Sequence, residues 1–145
     1  MRRTLSTIGY ERATQSAVID KLKVAGVEVL IDVRAVAASR RAGFSKTTLA
    51  NSLAEHGIDY VHLRALGTPK AGREAARNGR IDEMHMIFEQ QLETPEAQLQ
   101  LAEAGEIAGK RKAALLCFEA DHARCHREII ADRLAKLHGF TIENL

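Results

Sequence analysis

The chain has no tryptophan, two tyrosines, four phenylalanines, two prolines and two cysteines among 145 residues. With aromatics at 4%, a single-strand nucleic-acid module built on stacking side chains is disfavoured. Two cysteines are too few for a disulfide scaffold, and a reducing compartment would keep both as free thiols. No apolar run approaches the roughly 18 residues of a membrane span. The first residues, MRRTLSTIGYER, lack the apolar core of a signal peptide. The expectation is a soluble, cytoplasmic protein without a membrane partner. GxGxxG and P-loop patterns are also missing, so neither a dinucleotide cofactor nor a P-loop nucleotide site is supported.

At 46% hydrophobic and 28% charged, the composition fits one globular domain over residues 1–145. The net charge of +2 conceals a segregation. Segments 34–46 and 64–80 hold nine basic groups against Glu74 alone, whereas the rest holds twelve basic against eighteen acidic groups. Both basic segments read as loops. Their clustering points to an anionic partner, a small molecule or, more weakly, a nucleic acid.

Apolar periodicity gives an alternating order. Strands are expected over residues 3–8, 27–33, 58–63 and 112–118, with a short fifth over 140–143. Helices are expected over 14–25, 45–56, 81–92 and 94–108, with Thr14, Ser45 and Thr94 as caps. Residues 64–80 read as one long loop. Asp121 is expected to cap a last helix that Gly139 ends. The pattern implies an α/β, three-layer, Rossmann-like domain. Its mostly parallel five-stranded sheet, with helices on both faces, has the expected strand order 3-2-1-4-5. Strands one and four would then flank the switch point where such sheets place ligands.

The densest chemistry lies at the end of strand four, in ALLCFEADHARCHR over residues 114–127. Cys125 near a helix N-terminus, beside Arg124, His126 and Arg127, is a candidate low-pKa thiol. A phosphatase-type loop requires arginine six positions after its cysteine. From Cys117 that position is Ala123, and Arg124 comes one residue late. A CxxC or HxxxH pair is missing too. Cys125 and His126, if helical, would point about 100° apart, so no metal site is expected. Asp32 and Glu119 end apolar runs where a charge is disfavoured. They are candidate acids or bases, with Arg34, Arg40 and Arg127 as an anion clamp and His126 as a proton-transfer partner. The competing reading of the same residues is a structural ion-pair network.

Several motifs, taken in order, carry a family resemblance. They are Thr7-Ile-Gly9-Tyr10, Asp32-Val-Arg34, Ser39-Arg40-Arg41, Gly43-Phe44-Ser45-Lys46, Tyr60-Val-His62-Leu63 and Leu66-Gly67. Leu116-Cys117-Phe-Glu119-Ala-Asp121 and Arg124-Cys125-His126-Arg127 complete the set. The chain resembles the bacterial and archaeal family catalogued as Domain of Unknown Function 488. One departure is His122, where the family pattern usually has proline. The resemblance implies a compact α/β fold and no particular reaction. Its matching positions overlap the set that the strand ends bring together, including Gly9 and Tyr10 as anion-binding candidates and His62. Three functions remain open. One is an enzyme acting on a phosphorylated or nucleotide-like anion by carboxylate and histidine chemistry. The second is redox or sulfur-transfer chemistry at Cys125. The third is a non-enzymatic module that binds nucleic acid or protein through the basic loops.

Overall fold

A computed structural model describes residues 3–145. Five parallel strands, β1 (Thr4–Gly9), β2 (Val29–Asp32), β3 (Asp59–His62), β4 (Ala113–Cys117) and β5 (Thr141–Asn144), form one sheet. The strand order is 3-2-4-1-5, which corrects the expected 3-2-1-4-5. Right-handed crossovers fix the hand of each connection but not how many strands it skips. The connection from β1 to β2 leaves a one-strand gap, and β4 fills it. Every residue of β4 is buried, as suits a parallel strand covered on both faces. By contrast, β3 and β5 are only partly buried and form the edges.

Helices α1 (Gln15–Val24) and α2 (Lys46–Glu55) cover one face. Val18, Ile19, Leu22, Leu49 and Leu53 pack there against Ile8, Leu30, Ala114 and Leu116. Helices α4 (Ile81–Leu92), α5 (Pro95–Lys110) and α6 (Arg127–His138) cover the other. Phe88, Leu101, Ile130 and Leu134 meet Leu5, Ile31 and Leu115 on that side. Alternate residues of each strand therefore serve opposite cores. Thr14 caps α1 by accepting from the Ala17 amide, and Thr94 caps α5 by accepting from the Ala97 amide. Gly139 takes φ +75° at the end of α6, a left-handed cap that glycine adopts without steric cost.

Two local expectations need correction. Residues 64–80 are not one loop: a 3-10 turn spans Arg64–Leu66 and helix α3 spans Lys70–Arg77. The α3 sequence KAGREAAR consists largely of good helix formers. It buries only Gly72 and Ala75, so it lacks the apolar stripe that would mark it as a helix. Asp121 caps a 3-10 turn, His122–Arg124, rather than the last helix. Cys125 is extended, and α6 begins only at Arg127.

Despite the changed order, β1 and β4 remain neighbours, with Gly9 beside Cys117. The helices that follow them, α1 and α6, lie on opposite faces. The switch point therefore stays at the C-terminal ends of β1 and β4. There the amides of Tyr10 and Glu11 both donate to the Phe118 carbonyl, at 3.1 and 2.8 Å.

Candidate functional site

A cavity of about 590 Å³ opens at this edge, within the size range of small-molecule sites. Tyr10, Arg34, Cys117, Glu119 and His126 are among the residues lining it. Its wall also includes Arg73 and Arg77 from α3 and Arg124 from the 3-10 turn. Arg73 donates to the Thr68 carbonyl at 2.9 Å. Among the described residues, none of these three arginines is paired with a carboxylate.

Asp32 and Arg34 form a closed knot beside this cavity. Asp32 is fully buried and Arg34 is 5% exposed. Arg34 Nε donates to Asp32 Oδ1 at 2.9 Å and Nη2 donates to Oδ2 at 2.7 Å. Arg34 Nη1 donates to the Phe44 carbonyl at 2.8 Å and to the Tyr10 hydroxyl at 3.2 Å. The Tyr60 hydroxyl donates to Asp32 Oδ2. Burial alone would lower the Arg34 pKa, but the Asp32 carboxylate outweighs it and raises the value. Burial, then the hydrogen bond to Asp32, raises the Tyr60 pKa. Each Arg34 nitrogen already donates to a protein oxygen, and Asp32 accepts from two side chains. In this geometry the pair holds the 34–46 loop to the sheet. His62 also serves the loop, with Nε2 2.7 Å from the Arg34 carbonyl oxygen. Arg40 is exposed and lies outside the cavity lining.

Arg127 forms a second knot under the strand end. It is 1% exposed. Its Nη1 donates to the Glu119 carbonyl and to Cys117 Sγ at 3.2 Å, and Nη2 donates to the Ala120 carbonyl at 3.2 Å. Burial pulls its pKa down to about 10, against the pull of Glu119, Asp121 and Glu128. Gly9 packs closely against this turn. A Cβ there would lie 1.8 Å from the Glu119 carbonyl oxygen and 3.0 Å from Arg127 Nη1. Gly9→Ala should therefore push the turn away and destabilise the fold by about 1–3 kcal/mol. The urea midpoint reads this directly, and an unchanged midpoint would contradict the close approach.

Glu119 is partly buried at the cavity wall, and Cys117 Sγ lies 3.7 Å from its Oε2. Burial raises its carboxyl pKa, opposed by a backbone hydrogen bond and by Arg127. His126 is 8% exposed. Its Nε2 lies 2.7 Å from the Val33 carbonyl oxygen. A carbonyl only accepts, so Nε2 carries the proton and Nδ1 presents a lone pair. Burial lowers the His126 pKa to about 4, so the ring is neutral at pH 7.

The cysteines are not the two free thiols expected from composition. Their sulfurs are joined as a disulfide, with the Cα atoms 7.3 Å apart. Cys125 is extended rather than helical, which returns its side chain beneath the end of β4. The expected 100° divergence from His126 therefore does not arise. Cys117 Sγ, Cys125 Sγ and His126 Nδ1 all lie within 4.8 Å of one another. Cys117 lines the cavity and Cys125 does not. Spacing rules missed this cluster because its members come from a strand end and a non-helical link.

Fold and site together define an α/β fold with a pocket at the switch point of a parallel sheet. Residues 14–134 match the model of a family described as Domain of unknown function DUF488. The chain belongs to that family. Comparison with curated proteins and with solved structures gives no match. Among the described residues, no helix is long and apolar enough to cross a membrane.

Proposed function

We propose that the protein is a small enzyme that binds an anionic substrate, phosphorylated or nucleotide-like, at the C-terminal ends of the strands. One observation carries this reading: the switch-point cavity is walled by Arg73, Arg77 and Arg124, and among the described residues none of them is paired with a carboxylate. A guanidinium facing a cavity offers a fork of donors suited to phosphate or carboxylate oxygens. Glu119 stands on the wall of the same cavity and supplies the acid–base group. Asp32, Arg34 and Arg127, though charged, are spent on the two knots and shape the site from behind.

The test is a panel of phosphorylated small molecules and nucleotides, with inorganic phosphate as the simplest member, followed by calorimetry. Arg77→Ala and Arg124→Ala should each weaken binding about tenfold, the equivalent of ~1.4 kcal/mol. Glu119→Gln should still bind the ligand but lose turnover, with thermal stability nearly unchanged. Undiminished binding by the Arg77→Ala/Arg124→Ala double variant would overturn the reading. So would a large stability loss in Glu119→Gln, which would make that carboxylate structural.

A further inference from the structure

We propose that, once two equivalents of a thiol reductant have opened the Cys117–Cys125 bond and been oxidised to their own disulfide, the two cysteine thiols and His126 form a site for a thiophilic divalent metal ion of the zinc class, with the fourth coordination position facing the cavity. The donor set is two sulfurs and one imidazole nitrogen. All three side chains are at least nine-tenths buried, and their ligand atoms lie within 4.8 Å of one another. Soft thiolates with imidazole select zinc-like ions over magnesium or calcium.

Three features of the geometry support a metal over simple packing. First, the imidazole is oriented as a ligand. Nε2–H donates to the Val33 carbonyl, which turns the Nδ1 lone pair towards Cys125. Metal-bound histidines characteristically donate their other N–H to a carbonyl or carboxylate in this way. Second, the spacing between the Cys125 sulfur and the imidazole fits. Cys125 Sγ lies 3.7 Å from His126 Nδ1. Bonds of about 2.3 Å to sulfur and 2.05 Å to nitrogen, at a tetrahedral angle, separate the two donors by about 3.6 Å. Third, the two cysteine Cα atoms are 7.3 Å apart. A relaxed disulfide holds them at roughly 4.4–6.8 Å. A metal between the sulfurs spreads them to about 3.75 Å, which suits the wider backbone.

The surroundings suit a charged thiolate centre. Arg127 Nη1 donates to Cys117 Sγ at 3.2 Å, as a guanidinium does beside a thiolate. Each thiol gives up its proton as its metal–sulfur bond forms, so two protons leave to solvent for each ion bound. Cys117 and His126 both line the cavity. The remaining position therefore opens on the same space as Arg77, Arg124 and Glu119. Three protein ligands with one open position is the arrangement of catalytic rather than purely structural zinc.

The test uses the full chain, reduced and stripped of metal, with Co²⁺ and then Zn²⁺ as probes. One equivalent of Co²⁺ should give thiolate-to-cobalt charge-transfer absorption and a tetrahedral visible spectrum, and Zn²⁺ should displace it. Cys117→Ser and Cys125→Ser should each weaken Co²⁺ binding about tenfold or more. In the unaltered protein, one equivalent of Zn²⁺ should slow alkylation of both thiols. A cobalt spectrum without the charge-transfer band would overturn the proposal. Equal alkylation rates with and without Zn²⁺ would do so as well, and so would disulfide formation that Zn²⁺ does not slow. None of these readouts involves a substrate, so failure of the anion reading and failure of the metal site are separable.

Discussion

Asp32→Ala should cost about 3–5 kcal/mol of stability, because it leaves a buried guanidinium without its counter-charge. Arg34 is 5% exposed and is also held by the Phe44 carbonyl and the Tyr10 hydroxyl. Tyr60 loses its acceptor in the same step. For a domain of this size the melting temperature should fall by roughly 10–15 °C. Asp32→Asn should cost less, since an amide oxygen still accepts. Replacing both partners, as in Asp32→Leu/Arg34→Met, should recover part of the loss, because an apolar pair does not strand a charge. Urea denaturation of the three variants at pH 7 separates these terms. A loss below about 1 kcal/mol for Asp32→Ala would show that the pair is not the knot described.

A second large effect concerns pH. His126 titrates near 4 in the folded chain, against an ordinary value of 6.5. The unfolded chain therefore takes up a proton first as pH falls. Stability from the neutral ring is complete above pH 6.5 and is lost as pH drops through the window from 6.5 to about 4. The whole shift is worth about 3 kcal/mol, of which about 2 kcal/mol is gone by pH 5. Burial is the main cause. Arg127 adds to it, while Asp32 and the Val33 carbonyl oppose it. Glu119 acts in the other direction, because its carboxyl is raised and the folded state takes its proton first. His126→Gln isolates the histidine contribution: in metal-free protein its stability should fall less between pH 7 and 5 than that of the unaltered chain. Equal slopes would place the acid sensitivity elsewhere.

The alternation of strands and helices could be read from the sequence because apolar periodicity records which faces are buried. Strand order could not. Crossover handedness leaves 3-2-1-4-5 and 3-2-4-1-5 equally open, and only the apolar content of Ala113–Cys117 hinted at a central place. Helix α3 was hidden because KAGREAAR packs through Gly72 and Ala75, which carry no apolar stripe. That mattered for the site, since α3 brings Arg73 and Arg77 to the cavity. Topology pointed to the strand ends that carry Tyr10, Arg34 and Glu119, and these residues line the cavity. What the sequence could not distinguish was a free arginine from a spent one. Arg34 and Arg127 share the charge of Arg77 and Arg124, but burial commits the first two to Asp32 and to backbone carbonyls. The cysteine cluster was hidden for a related reason, since the extended backbone at Cys125 has no signature in spacing.

The most direct measurement is amide chemical-shift mapping of the folded protein during titration with the panel of phosphorylated small molecules. Binding at the switch point should move the amides of Tyr10, Glu11, Thr68, Phe118, Glu119 and Arg124, all at the cavity wall. It should leave the β5 edge, Thr141–Asn144, which lies outside the cavity lining, unchanged. If no member of the panel shifts the cavity amides, or if the shifts spread over the basic surface without favouring the cavity, the switch-point pocket is not an anion site.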